Sequence, residues 1–179
     1  MDVRLIVISD HVDEPETLVN AVNSSTLLVK LKYSEHTLDS LATEMETVAA
    51  EVHDWLSPAY YHSLTIRSQH IGSLMSVGFC DHGKPGSFCL LEGLDINSET
   101  IENFKVQAFF KRVAMLLHSS SARMDLLACN LTASEAGERL VARLEMLTGV
   151  RVCASNNVTG NGHLSASICK ACGGIDRCC

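Results

Sequence analysis

Short, β-branched apolar runs alternate along this chain with amphipathic segments of helical period, and that alternation narrows the possible folds most. Val3–Ile8 (VRLIVI) is a continuous apolar run ending at Ser9 and Asp10, which predicts a strand buried on both faces of a parallel sheet. Pro15 stands at the first turn of a short helix expected to run to Val22, and Thr26–Leu31 (TLLVKL) predicts the next strand. Leu38, Leu41, Met45, Val48, Val52 and Trp55 recur every three or four residues, with Thr37 as N-cap and Pro58 as the stop. Further strands are expected at Leu74–Cys80, Met124–Ala128 and Val150–Ala154, with a short edge strand or hairpin arm at Ser87–Leu91. A helix is expected from Ser98 to His118, burying Ile101, Phe104, Ala108 and Leu116. Another follows Met124–Ala128. Thr132 and Glu135 read as its capping box, Ala136, Leu140, Leu144 and Leu147 as its buried face, and Gly149 as its C-terminal stop. Strands separated by helices predict an α/β fold with a mostly parallel central sheet and helices on both faces.

The 179 residues suffice for one domain with its own core, and 46% hydrophobic against 20% charged residues describes an ordinary globular protein. A formal net charge of −7 gives no general affinity for nucleic acid or an anionic membrane. No apolar run approaches the roughly 20 residues of a membrane span. Val3–Ile8, behind acidic Asp2, is too short for a secretory signal. A cytoplasmic location is the default expectation, and a secreted fragment is the other. Of eight cysteines, Cys80, Cys89, Cys129 and Cys153 are spread through the apolar body and are expected as thiols. Cys169, Cys172, Cys178 and Cys179 crowd the end of a chain whose composition turns loop-rich after Ser155. Residues 1–162 are therefore expected to form the domain and 163–179 a cysteine-rich tail. Adjacent Cys178 and Cys179 suit no usual zinc geometry, so neither a metal nor a cofactor is expected.

Parallel sheets bind ligands outside the carboxyl ends of their strands. Asp81-His82-Gly83 follows one strand, Cys129-Asn130 another, and Ser155-Asn156-Asn157 a third. A thiolate is a strong nucleophile, and a nearby imidazole can activate it and protonate a leaving amine. Gly83 allows close backbone approach, so its N–H and that of Cys129 could form an oxyanion hole. The capped start of the following helix, expected three residues beyond Cys129, would favour the thiolate. The same residues also admit plainer roles. Cysteine is among the most buried residue types, His82 could serve a tight turn, and Ser155 and Asn156 could supply ordinary turn chemistry.

His82-Gly83 and Ala128-Cys129, with histidine and cysteine 47 positions apart, resemble the caspase-type pattern. "VISD" at Val7–Asp10, "DHGKPGSFCL" at Asp81–Leu90, "LLACN" at Leu126–Asn130 and "LTGVRVCASNNVTG" at Leu147–Gly160 are more similar still to a related family. That family is an uncharacterised domain of the caspase-like clan, found near the N-termini of large bacterial surface and repeat proteins. Asp81 and Ala128 depart from its usual small residue and glycine. The resemblance implies a caspase-like three-layer sandwich with a His82–Cys129 dyad and an oxyanion hole at Gly83 and Cys129. It also implies a peptide or protein substrate, with Asp81, Asn130, Ser155 and Asn156 lining its cleft. A binding or scaffold module that keeps the fold without turnover is the other functional class, and a redox role for the tail is a third.

Overall fold

The structure is a computed structural model that describes residues 3–56, 74–117 and 121–157. The expected helix stop at Pro58 and the tail at 163–179 lie outside the described residues. Five strands, β1 (Arg4–Ser9), β2 (Thr26–Leu31), β3 (Ser76–Cys80), β7 (Arg123–Leu127) and β8 (Arg151–Ala154), form one sheet in the order β2-β1-β3-β7-β8. Every pairing in it is parallel. Three short strands, β4 (Gly83–Lys84), β5 (Ser87–Leu91) and β6 (Leu94–Ile96), make a separate antiparallel sheet inserted after β3. The Ser87–Leu91 segment is thus a hairpin arm, as expected, and not an edge strand, since it pairs with β4 and β6 on both sides. Gly93 adopts φ 70° in the tight turn between its last two strands.

The helices follow from the strand order. The crossover from β1 to β2 runs one way along the sheet, and all later crossovers run the other. Right-handed connections then force the first helix onto one face and the rest onto the opposite face. The helices are α1 (Pro15–Ala21), α2 (Leu38–Leu56), α3 (Phe104–Met115) and α4 (Glu135–Thr148). Glu16 of α1 pairs with Lys30 at 3.2 Å, on the face of β2 opposite buried Val29 and Leu31. On the other face, Leu5, Val7, Val77, Phe79, Met124 and Leu126 alternate inward to meet Leu41 and Met45 of α2, Phe109 and Phe110 of α3, and Leu140 and Leu144 of α4. The result is a three-layer α/β sandwich. Among the described residues, no helix is long and apolar enough to cross a membrane.

Two helix readings needed correction. The segment expected as one helix from Ser98 is a single 3-10 turn, Thr100–Glu102, followed by α3, which Asn103 caps by accepting the Lys105 N–H. The break resets the helical phase, so Phe104 and Ala108 are exposed, while Val106, Phe109, Phe110 and Val113 face the core. The capping box at Thr132 is also absent. Ser134 caps α4 through the Gly137 N–H, and the Thr132 hydroxyl is buried with no hydrogen-bond partner. The helix therefore begins six residues beyond Cys129, not three, which weakens any effect of its dipole on that thiol.

Candidate functional site

In the order β2-β1-β3-β7-β8, neighbouring crossovers diverge between β1 and β3. That is the topological switch point, where a crevice opens outside the strand ends. Ser9, Asp10 and His11 leave β1 there, and Asp81 and His82 leave β3. One strand further along, Ala128, Cys129 and Asn130 leave β7, whose Leu127 lies beside Cys80. The expected histidine and cysteine therefore stand at the exits of adjacent parallel strands, at the same end of the sheet.

Gly83 ties these two exits together. A Cβ on it would lie 2.7 Å from the Ala128 Cβ and 2.9 Å from the Cys129 carbonyl oxygen. Only glycine lets the backbone after His82 approach the backbone before Asn130 so closely. The meander holds the loop down from the other side. The Cys89 N–H donates to the His82 carbonyl at 2.9 Å, and the Gly86 N–H to the Leu131 carbonyl at 3.0 Å.

The His82 imidazole points toward β1, with Nε2 2.7 Å from the His11 carbonyl oxygen. A carbonyl can only accept, so Nε2 carries the hydrogen and neutral His82 presents a basic lone pair at Nδ1. Asp81 turns away from the strand carrying Cys129. It is only 7% exposed, and its Oδ1 accepts the His82 main-chain N–H at 2.7 Å. Its Oδ2 accepts the Tyr33 hydroxyl at 2.6 Å, and fully buried Ser9 stands at the end of neighbouring β1. Burial raises the Asp81 pKa, and the hydrogen bonds from Tyr33 and the His82 N–H pull it back. Burial and the bond to Asp81 push the Tyr33 phenol far above its ordinary value, so Tyr33 remains a donor at every physiological pH.

Beyond the cysteine, Asn130 takes a left-handed conformation, φ 56°, which turns the chain sharply. Its N–H donates to the Asn157 carbonyl at 2.8 Å, and the Thr132 N–H to the Ser155 carbonyl at 3.0 Å. Ser155 is 2% exposed, and its hydroxyl lies 2.8 Å from Asn157 Oδ1, so it braces its own turn. Asn156 is half-buried between them.

Two more thiols lie nearby. Cys80 is pushed up by burial, then by the charges of Asp81 and Cys129. Cys89 is pushed up to about 11 by burial and by its 3.2 Å hydrogen bond to Asp95. Both stay protonated at neutral pH, which makes them poor nucleophiles. Among the described residues, no group of three His, Cys, Asp or Glu side chains is placed to hold a metal ion.

The strand-end rule that points to His82 and Cys129 points equally, at the exits of β1 and β2, to Ser9, His11 and Tyr33.

The family model described as a domain of unknown function (DUF4347) matches residues 5–167. No curated protein and no solved structure matches the chain. With nearly the whole chain matched, the protein belongs to the DUF4347 family.

Proposed function

We propose that this domain is a cysteine hydrolase of the caspase-like peptidase kind, acting on peptide or protein substrates through His82 and Cys129. The observation that carries the reading is the join at Gly83, where the loop bearing the histidine packs on the main chain bearing the cysteine. In the proposed reaction, the Cys129 thiolate attacks the scissile carbonyl carbon while His82 holds the thiol proton. The N–H groups of Gly83 and Cys129 would receive the developing oxyanion. His82 then protonates the leaving amine, and water releases the acyl group from sulfur with His82 as base. Burial pushes the Cys80 and Cys89 thiols up, which argues against either of them as the nucleophile. Asn130 and Asn156 would form the wall of the cleft on the β8 side, with buried Ser155 bracing their turn, and Asp81 would hold His82 from beneath.

The test is cleavage of a diverse peptide library by wild type, Cys129→Ala and His82→Ala. The reading predicts products from wild type and a loss of at least about a thousandfold in both variants. Equal product from Cys129→Ala, or none from any form, would leave a binding module instead.

A further inference from the structure

We propose that Tyr33 is a positioning residue that sets the direction of the His82 imidazole from the end of β2. The inference rests on the reading of His82 as the catalytic base and deepens it. Tyr33 holds both anchors of that histidine. Its hydroxyl donates to Asp81 Oδ2 at 2.6 Å, and Asp81 Oδ1 takes the His82 main-chain N–H at 2.7 Å. Its ring stacks on the His11 ring, with centroids 4.2 Å apart and planes 15° from parallel. The His11 main-chain carbonyl, in turn, takes the hydrogen of His82 Nε2 at 2.7 Å. Buried Ser9 steadies the same turn from β1, its hydroxyl accepting the His11 N–H at 3.1 Å. One side chain from β2 thus fixes the main chain of His82 and also the acceptor that turns its ring.

The physical reason for the device is the switch point. His82 leaves β3 where the ladder to β1 has ended at Ile8 and Cys80. A buried carboxylate is costly without donors. Tyr33 supplies one that does not ionise at physiological pH, so Asp81 can accept the His82 N–H from a fixed place.

The test reads the imidazole itself. Long-range proton–nitrogen spectra of full-length protein, at a pH where His82 is neutral, report which ring nitrogen carries hydrogen. Wild type is expected to show one tautomer, with hydrogen on Nε2. Tyr33→Leu, which removes both anchors, should give a mixture of tautomers. Tyr33→Phe, which keeps the ring but loses the hydroxyl, should fall between. Asp81→Asn should retain the wild-type tautomer, because its amide oxygen still accepts the His82 N–H and its amide can donate to Tyr33. Asp81→Ala should lose it. If a tyrosine variant fails to fold, the Asp81→Asn and Asp81→Ala contrast decides. An unchanged tautomer in every folded variant overturns the proposal, even where stability falls. The spectra do not depend on turnover, so an inert wild type would sink the hydrolase reading while leaving this one standing or falling on the tautomer alone. Where wild type does cleave peptides, Tyr33→Leu should lower kcat by about tenfold to a hundredfold with little change in KM.

Discussion

At the residue scale, two backbone positions set the distance between the loops that carry the chemistry. Gly83 leaves no room for a side chain against Ala128 and Cys129. Asn130 turns the chain immediately after the cysteine with φ 56°, a conformation that asparagine tolerates and β-branched residues avoid. Asn130→Gly should therefore leave stability close to wild type, while Asn130→Val should cost about 1–2 kcal/mol in urea denaturation. Equal stability of the two would show that the turn is not under the constraint inferred. The same residue illustrates what a sequence conceals. Asparagine after a strand announces a turn, but its part in joining two strand exits depends on a partner at Asn157, 27 positions away.

At the scale of elements, α4 presses on the loop after Cys129 and fixes its course. A Cβ at Gly137 would sit 1.7 Å from the Leu131 carbonyl oxygen, so the helix lies directly against that main chain. Its cap distinguishes two serine/threonine positions two residues apart. Ser134→Ala should lower stability by up to about 1 kcal/mol, because it removes the side-chain acceptor that the Gly137 N–H shares with the Ser134 carbonyl. Thr132→Val should be neutral or stabilising, because that hydroxyl is buried without a partner. Calorimetry showing the reverse order would restore the cap to Thr132. The elements were largely legible from apolar periodicity. Strand β2 runs over the expected residues, Thr37 caps α2 by accepting the Ser40 N–H, and Gly149 ends α4 with φ 69°. The failures have a common physical origin. A capping motif and a helical stripe are local patterns that tolerate a shift of a few residues, and tertiary packing chose between the alternatives. Asn103 broke the helix expected from Ser98, and the contact of Gly137 with Leu131 placed the start of α4.

At the scale of the molecule, the strand order converts separate loops into one rim, and the charges buried there shape its response to pH. Asp81 and Asp125 both have pKa values raised by burial above the ordinary 3.8. The folded chain therefore takes up these protons at a higher pH than the unfolded chain. Their contribution to stability grows as pH falls through the raised values and is complete below 3.8. Asp95 is held low by its bond from Lys84 and Glu102 by Arg143. Stability from these pairs is present above the unfolded values and is lost as pH falls through the folded ones. Urea unfolding across mildly acidic pH should thus show the gain first and the loss only at lower pH, with Asp81→Asn reducing the gain; a monotonic fall unaffected by Asp81→Asn would contradict this. The central claim concerns the sulfur at the β7 exit. Its most direct test is the pH dependence of iodoacetamide alkylation, mapped by mass spectrometry to each cysteine in wild type and His82→Ala. The account predicts that Cys129 reacts at neutral pH well ahead of Cys80 and Cys89, and that His82→Ala slows it by about tenfold or more. Cys129 reacting no faster than those two, or at the same rate without His82, would contradict it.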